Sequence, residues 1–439
     1  MNTLQQIETQ AEKLAMTAKA LAKQFREAGL NESSTPWGSA DFEPPREVDR
    51  LRNNMLATIA RLQTMLVGPT DFIQQLAHQT QVLACLQWLG EFQVLACIPL
   101  NGSMSTKDLA DLVNVPGSQL RRVVRLMATA GFLQEPQPGS GQVAHTGLSA
   151  SFVTNFPNLD AVMLLSGTAA PAALQMSEAT QRQLSGFTLS SNTGLPFTSA
   201  CEQQPRLKRQ WSAYLGCVGD TSQVLVDLLD RLDWASLGNV CIVDVDAESI
   251  RVAEGLAERH PALRWVVQMS ESAAADITSV GGLNPRITVQ IRTPQATQTL
   301  EEAAVYVLRG TEPDYQSLAN WVQIELQSHL NVLRANPNAL LLLALQLRPD
   351  PGSVDPSVEA VACARDMTVV QLTGDTREMN LKELEELIAC VRDSGGRLVV
   401  VNKLRSNHCS TIALGIKYRP KAQPLGLITP NPAWSVTLP

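Results

Sequence analysis

The sequence predicts two parts, a mainly helical N-terminal half that contains a winged-helix domain and a doubly wound α/β C-terminal half. Three observations predict this division. Apolar residues recur at helical spacing over most of residues 1–235. Within that half, two predicted helices and a predicted hairpin follow one another at 103–155, which is the pattern of a winged helix. After residue 236, short β-rich apolar runs alternate with helical segments, as in a mostly parallel sheet with helices on both faces.

The first segment predicts an amphipathic helix. Its apolar residues lie three and four positions apart, the spacing of a heptad seam; they are Leu4, Ile7, Ala11, Leu14, Ala18, Leu21 and Phe25. Such a seam packs either within the chain or against a second copy. A stretch at 31–45 contains Pro and Gly and is interpreted as a linker. We therefore assign residues 1–70 to a helical N-terminal or dimerisation region.

Residues 71–155 are assigned to the winged-helix domain. The segment 82–98 is apolar on nearly every face, so we expect a buried helix there. Ser105 or Thr106 is a suitable N-cap for the following helix, because either hydroxyl can accept from its free N–H groups. A second helix is expected to begin at Pro116, and a Pro/Gly turn then joins two short predicted strands.

Three basic residues, Arg121, Arg122 and Arg125, lie on the second helix of this domain. A DNA-binding helix carries its basic residues at such positions, so one interpretation is that they contact phosphates. The other is that the domain is a packing and dimerisation module. The same three arginines are also candidate contacts for a protein partner. The net charge of −7 and the absence of a further Lys/Arg cluster argue against direct DNA contact.

The remaining chain is divided into a helical connection at 156–235, an α/β domain at 236–420 and a tail at 421–439. The predicted strands of the α/β domain read CIVDV, RWVVQM, ITVQI, AVYVL, ALLLLAL, RLVVVNKL and TIALGIKY in chain order. We expect the last strands, which follow a Gly-Gly turn, to form an antiparallel edge. No apolar run has the roughly 18 residues that cross a membrane.

The histidines and cysteines predict no metal site. The five histidines are isolated from one another, and the eight cysteines include no CxxC pair. Scattered thiols of this kind are typical of free cysteines in a reducing compartment.

The segment at 241–261, CIVDVDAESIRVAEGLAERHP, has the outline of a nucleotide-binding βα unit. A buried strand carries Asp244 near its end, and a sharp turn leads into a helix. The turn contains no glycine, although glycine is what lets a backbone approach a cofactor closely. The residues alone leave open a cofactor site, a lost one, or a strand and helix with no site.

The order of a helical N-terminus, a winged helix and a doubly wound domain resembles the plant-and-fungal type of S-adenosylmethionine-dependent O-methyltransferase, from about residue 70 to 420. This resemblance implies a Rossmann-like, class I methyltransferase-type C-terminal domain. The family's first cofactor motif is a strand ending in Asp-Val, followed by three glycines, any residue and a fourth glycine. The strand matches Val243-Asp244-Val245, but the glycine positions are Asp246, Ala247, Glu248 and Ile250.

Two further functional positions of that family differ. The acidic residue that binds the ribose after the second strand corresponds to Met269, a weak acceptor at best. The catalytic histidine corresponds to Pro313, which cannot accept a proton, although Leu308, Arg309 and Asp314 agree with the family pattern. The resemblance with these changes implies a catalytically inactive scaffold that binds no cofactor.

A narrower resemblance is strongest at 80–155 and 200–216. The segments LACLQWLGEFQVLACIPL, QLRRVVRLMATAGFLQEP, QVAHT and QQPRLKRQWSAYL resemble the AflJ/AflS-like regulatory proteins of fungal polyketide gene clusters. This implies a transcriptional co-activator that works with a zinc-binuclear-cluster DNA-binding protein, with nuclear and cytoplasmic localisation. The seam and the methyltransferase-like helices favour a homodimer.

Two other hypotheses remain. One is an active methyltransferase or another polyketide-modifying enzyme, in which Asp244, Asp246, Glu248 and Asp314 line a pocket. The other is a direct DNA-binding regulator that uses the winged helix.

Overall fold

The computed structural model describes residues 3–27, 45–191, 193–219, 222–280, 283–310, 315–375, 379–406 and 408–421. The chain forms two compact units, Met1–Cys217 and Val218–Pro439. The unit boundary lies inside the predicted helical connection at 156–235. The predicted linker at 31–45 and the predicted tail at 421–439 lie outside the described residues except for their positions 45 and 421.

The N-terminal unit begins with a pair of helices, α1 (Thr3–Glu27) and α2 (Arg46–Leu66), that pack on each other. The predicted seam of α1 is half-buried at Ile7, Leu14 and Leu21. It is 68% exposed at Leu4, so α2 covers only part of it.

The predicted helix over 82–98 is wrong as a single helix. Helix α3 spans Pro69–Glu91 and a separate turn of helix, α4, spans Val94–Cys97. Between them Gln93 has φ +54°, which breaks the helix. The break lets Val94, Leu95 and Ile98 enter the same buried cluster as Leu89 of α3. Burial of these side chains therefore overrides the helical continuation of the segment.

The winged helix has two helices and a small sheet. Its elements are β1 (Met104–Ser105), α5 (Thr106–Leu112), α6 (Gly117–Thr129), β2 (Leu133–Gln134) and β3 (Gln142–His145). Strand β3 is central and pairs antiparallel with β1 and β2. Ser105 caps α5 by accepting from the Lys107 N–H at 3.1 Å, and Pro116 is the N-cap residue of α6. Helix α6 buries Leu120, Val123, Val124 and Met127, which turns its arginines outward.

Short helices complete this unit. They are α7 (Gly147–Thr154), α8 (Phe156–Leu164), a π-helical turn (Leu165–Ala169), α9 (Ala170–Leu174), α10 (Met176–Arg182), α11 (Gly186–Ser190), α12 (Phe197–Gln203) and α13 (Pro205–Val218). Over the described part of the chain, no single helix is both long and apolar enough to cross a membrane, while one bent pair, Phe156–Leu174 with Met176–Arg182, meets the length and composition of a span.

The C-terminal unit is built on a seven-stranded sheet with the order β6-β5-β4-β7-β8-β10-β9. The strands are β4 (Cys241–Val245), β5 (Arg264–Met269), β6 (Ile287–Ile291), β7 (Val305–Gly310), β8 (Leu340–Gln346), β9 (Gly396–Arg405) and β10 (Thr411–Pro420). Strands β4 to β8 are parallel, and β10 is antiparallel to both β8 and β9. The predicted antiparallel edge is present.

Helices cover both faces of the sheet. They are α14 (Ser222–Leu229), α15 (Arg251–Arg259), α16 (Glu271–Val280), α17 (Tyr315–Ala335), α18 (Pro356–Thr373) and α19 (Leu381–Cys390), with a 3-10 turn at Trp234–Leu237. Alternate residues of β8 serve the two cores: Leu340 and Leu342 join the cluster with α14 and α15, whereas Leu341 and Leu343 join the cluster with α17 and α19. Both faces of β8 are therefore buried.

One crossover has no helix. The chain passes from β6 to β7 through an irregular segment at 292–304. Strand β7 lies on the opposite side of β4 from β5 and β6, so the strand order reverses at β4. In open α/β sheets such a reversal point, at the carboxyl ends of the strands, is where ligands bind.

Candidate functional site

The candidate site begins with a buried ion pair between β4 and β7. Asp244 is fully buried, and Arg309 donates to both of its oxygens, from Nε to Oδ1 at 3.1 Å and from Nη2 to Oδ2 at 2.9 Å. Burial raises the pKa of Asp244, and the neighbouring Arg309 charge opposes that rise. Both parallel bonds are made inside the protein, so this carboxylate and guanidinium already satisfy each other.

The turn after β4 keeps a glycine-like backbone without a glycine. Asp246 has φ +49°, in the left-handed region that glycine adopts most readily. The next residue, Ala247, is buried, and its N–H donates to the Gln268 carbonyl of β5 at 2.8 Å. Glu248 is exposed, while Ile250 is half-buried against the core. The chain therefore keeps the tight turn while side chains occupy the space beside it.

Met269 belongs to the core. It is the last residue of β5, is fully buried and lies in the same apolar cluster as Ala247 and Ala274. Its carbonyl accepts from the Arg292 N–H at 2.9 Å. A thioether in this position offers no strong hydrogen bond to a ribose.

Arg292, just after β6, holds the turn closed. Its Nη1 donates to Asp246 Oδ1 at 2.7 Å, and its Nη2 donates to Glu325 Oε2 at 3.2 Å and to Ser328 Oγ at 3.4 Å. The same Nη2 donates to the Ala296 carbonyl of the irregular crossover. Arg292 is only 7% exposed and Glu325 is fully buried. One guanidinium thus joins two carboxylates, a hydroxyl and a carbonyl.

The hydrogen bonds continue to β5. Gln298 and Gln268 exchange amide hydrogen bonds, at 2.8 Å from Gln298 and 3.2 Å from Gln268. His329 Nδ1 lies 2.7 Å from the Glu325 carbonyl, and its Nε2 lies 3.4 Å from Gln298 Nε2. Burial lowers the pKa of His329 to about 4, so the ring is neutral at pH 7. A neutral ring with its proton on Nδ1 satisfies both contacts.

We call this set the closing network. It consists of Asp246, Gln268, Arg292, Gln298, Glu325, Ser328 and His329. Burial raises the pKa of Glu325 to about 7, although the Arg292 charge opposes the rise. The sequence analysis predicted only Asp246 of this set. The pair Glu325 and His329, four residues apart on α17, gave no distinct signal, because this helix contains many other polar residues.

The remaining predicted site residues fall into two groups. Arg121, Arg122 and Arg125 lie together on the exposed face of α6, beside a groove of about 590 Å³. Pro313 and Asp314 lie outside the described residues, so their predicted roles stay predictions. Among the described residues, no three His, Cys, Asp or Glu side chains are grouped to hold a metal ion.

Comparisons with known proteins identify the family. Residues 4–67 match the family model of the N-terminal domain of the trypacidin cluster transcriptional coactivator tpcD. A transcriptional coactivator of Pseudocercospora fijiensis is 50% identical, with 77% of this chain and 96% of the relative covered. The monodictyphenone cluster transcriptional coactivator mdpA of Emericella nidulans is 39% identical over 95% of this chain and 99% of its own length. The dothistromin biosynthesis regulatory protein aflJ of Dothistroma septosporum is 38% identical, with 96% and 99% covered.

Solved structures similar to this chain include an O-methyltransferase. The mitomycin 7-O-methyltransferase MmcR has a TM-score of 0.57 at 17% identity, covering 82% of this chain and all of its own. OxaC in complex with S-adenosylhomocysteine and oxaline has a TM-score of 0.60 at 16% identity, covering 95% of this chain. At these identities the likeness shows the fold alone, and it confirms the predicted O-methyltransferase-like class. By sequence, the chain belongs to the family of transcriptional coactivators of fungal secondary-metabolite gene clusters.

Proposed function

We propose that this chain is a non-catalytic coactivator, which has kept a methyltransferase-like fold as a scaffold and acts with a zinc-binuclear-cluster transcription factor that supplies the DNA recognition. The relatives are named as coactivators, and a coactivator works through a transcription factor. The observation that carries the loss of catalysis is the closing network, since its Asp246 stands at a position where O-methyltransferases have a cofactor glycine and is tied to Arg292.

The residues at this turn do not fit S-adenosylmethionine. Asp246 and Glu248 place two carboxylates where the amino-acid end of the cofactor would approach, and its own carboxylate would be repelled. Freeing Asp246 for a ligand would break its 2.7 Å contact with the buried Arg292. Because Arg292 would keep Glu325 at 3.2 Å, the cost lies below the about 3–5 kcal/mol of a buried charge that loses its only partner. The favourable free energy of cofactor binding would have to exceed that cost before the cofactor bound with measurable affinity.

Calorimetric titration of the full chain with S-adenosylmethionine tests this directly. We expect no saturable heat at millimolar ligand, with an active O-methyltransferase as the positive control. Binding in the micromolar range would contradict the proposal, since it would show a working cofactor site. The enzyme alternative is supported by fold likeness alone, and the same titration decides it.

The proposed DNA-binding partner is consistent with the cysteine content. The chain has eight cysteines and no CxxC pair, so it contains no zinc-cluster motif of its own. Co-purification of the tagged chain from nuclear extract should recover a zinc-binuclear-cluster factor. A fluorescent fusion should be present in both nucleus and cytoplasm, and exclusion from the nucleus would contradict a role at promoters.

We also propose that the chain forms a homodimer through α2 and the first turns of α3. The support is a group of large apolar side chains that this region leaves exposed, namely Leu56, Ile59, Leu66, Phe72, Ile73 and Leu76. Apolar residues grouped in this way are typical of protein interfaces. Light scattering of the wild type and of Ile73→Glu should give a dimer and a monomer, respectively.

A further inference from the structure

We propose that the outward face of α6 is the docking site for an acidic amphipathic helix of the partner transcription factor. This inference rests on the proposed function, because it names the surface and the partner chemistry of that same interaction. The face consists of Ser118, Arg121, Arg122, Arg125, Leu126 and Thr129, which line the groove of about 590 Å³. We call it the α6 basic face.

The arginines are held on a rigid support. The opposite side of α6 is fixed in the core by Leu120 and Val124, which are fully buried. Arg121 and Arg125 are four residues apart and Arg122 and Arg125 three apart, so their side chains share one side of the helix. Leu126 adds a half-buried apolar surface beside them. A partner that pairs charge with an apolar anchor would match this combination.

The charges of this face are largely unneutralised. Among the described residues, Arg121 and Arg122 form no ion pair. Several other exposed arginines of this unit are paired, among them Arg209 with Asp160 at 2.6 Å and Arg206 with Glu91 at 3.2 Å. Arg125 donates to Glu135 at 2.8 Å, which neutralises part of the third charge. The unpaired guanidinium groups of Arg121 and Arg122, together with the partly neutralised Arg125, therefore attract carboxylates.

The surroundings favour a protein over DNA. The turn at 135–141 between β2 and β3, where a winged helix would reach the DNA backbone, contains Glu135 and no Lys or Arg. The preceding helix exposes Asp108 and Asp111. Three arginines neutralise about three phosphates, fewer than the roughly six to ten contacts of a strongly salt-dependent DNA site. Two or three carboxylates on one face of a helix match the arginines in number.

The test uses the full chain and the purified transcription factor. The variant Arg121→Glu/Arg122→Glu is compared with Arg264→Glu/Arg397→Glu, which reverses two exposed arginines of the C-terminal unit. Affinity is measured by fluorescence anisotropy for the factor and for labelled peptides that cover its acidic segments. A second peptide set carries Asn and Gln in place of Asp and Glu.

We expect the α6 variant to bind the factor and one acidic peptide about ten- to thirtyfold more weakly, since each reversal exchanges an attraction for a repulsion of up to about 1 kcal/mol. The control variant should bind the factor as tightly as the wild type does. The wild type should bind the peptide with Asn and Gln as weakly as the α6 variant binds the acidic peptide. Glu135→Gln should bind about two- to fivefold more tightly, because it releases Arg125. Such a gain cannot come from misfolding.

The contrary outcomes separate the two proposals. If the wild type does not bind the factor, the proposed function fails. If the wild type binds and the α6 variant binds equally well, only the α6 docking site is overturned. Steeply salt-dependent binding of a promoter duplex by the wild type, lost in the α6 variant, would assign the face to DNA and also overturn it.

Discussion

Replacing Arg309 by methionine should strongly destabilise the C-terminal unit, because it leaves the fully buried Asp244 without its cation. The response of lowest free energy is protonation of the Asp244 carboxyl group. Holding a carboxyl of ordinary pKa about 3.9 neutral at pH 7 costs about 4 kcal/mol, at 1.36 kcal/mol per pH unit. Burial already raises the pKa of Asp244 in the wild type, so part of this cost is present before the substitution. We therefore expect a loss of about 3 kcal/mol, near the lower end for a broken buried pair.

The loss should depend on pH. In Arg309→Met the folded pKa of Asp244 lies further above its unfolded value, so the penalty grows as pH rises above about 4 and disappears below it. At pH 5 the neutralisation cost falls to about 1.5 kcal/mol. The difference between variant and wild type should therefore fall to about a third or less of its pH 7 value at pH 5.

Hydrogen–deuterium exchange of the β4 and β7 amides is the suitable assay, because the two units of the chain need not unfold together. Arg334→Met is a matched control, since Arg334 is 53% exposed in its contact with Asp393 and should cost less than about 1 kcal/mol. The double variant Asp244→Asn/Arg309→Met should recover at least about 1 kcal/mol of the loss at pH 7. An Arg309→Met variant as stable as the control, or a double variant with no recovery, would refute the reasoning.

Two further predictions concern the same unit. Glu325→Gln should become more stable relative to the wild type as pH rises. The folded pKa of Glu325 is about 7, so the native glutamate destabilises the fold at pH values above its unfolded pKa. Thermal unfolding should show a gain of about 2–3 kcal/mol between pH 5 and pH 8. An equal difference at both pH values would show that Glu325 titrates normally. Gly310→Ala should cost about 1–3 kcal/mol in the same assay, because the added methyl group would lie 2.9 Å from the Trp321 ring.

The strands of the C-terminal unit could be predicted because each is a short apolar run, and burial on both faces removes the need for alternation. The run ALLLLAL is the plainest case, since β8 contributes Leu340 to one core and Leu341 to the other. The helix break at Gln93 could not be predicted. Its cause is the burial of Val94 and Leu95 against the winged helix, a tertiary effect that leaves no local signal. Helix α18 could not be predicted from periodicity, because its apolar residues follow no single face.

The candidate site could be predicted only in part for a similar reason. Asp244 and Met269 lie at the ends of buried strands and Asp246 follows one, so their positions at the sheet edge followed from the strand assignment. Arg292 and Glu325 are 33 residues apart and meet only because α17 packs beside the irregular crossover. The absence of glycine from the turn could be seen in the sequence. The side chains that contact the turn could not, because they come from distant parts of the chain.

The backbone of Asp246 indicates how the chain itself holds the turn after β4. A left-handed conformation costs a residue with a Cβ atom about 1–2 kcal/mol, less for Asp, so relaxation of the turn would be expected if nothing opposed it. Here the carboxylate accepts from Arg292 at 2.7 Å, and the Ala247 N–H is bonded to Gln268 at 2.8 Å. Both bonds require the tight turn, because they join the residues just after β4 to the ends of β5 and β6. The interactions that hold this turn come from the chain itself, so the shape of this sheet edge needs no bound ligand.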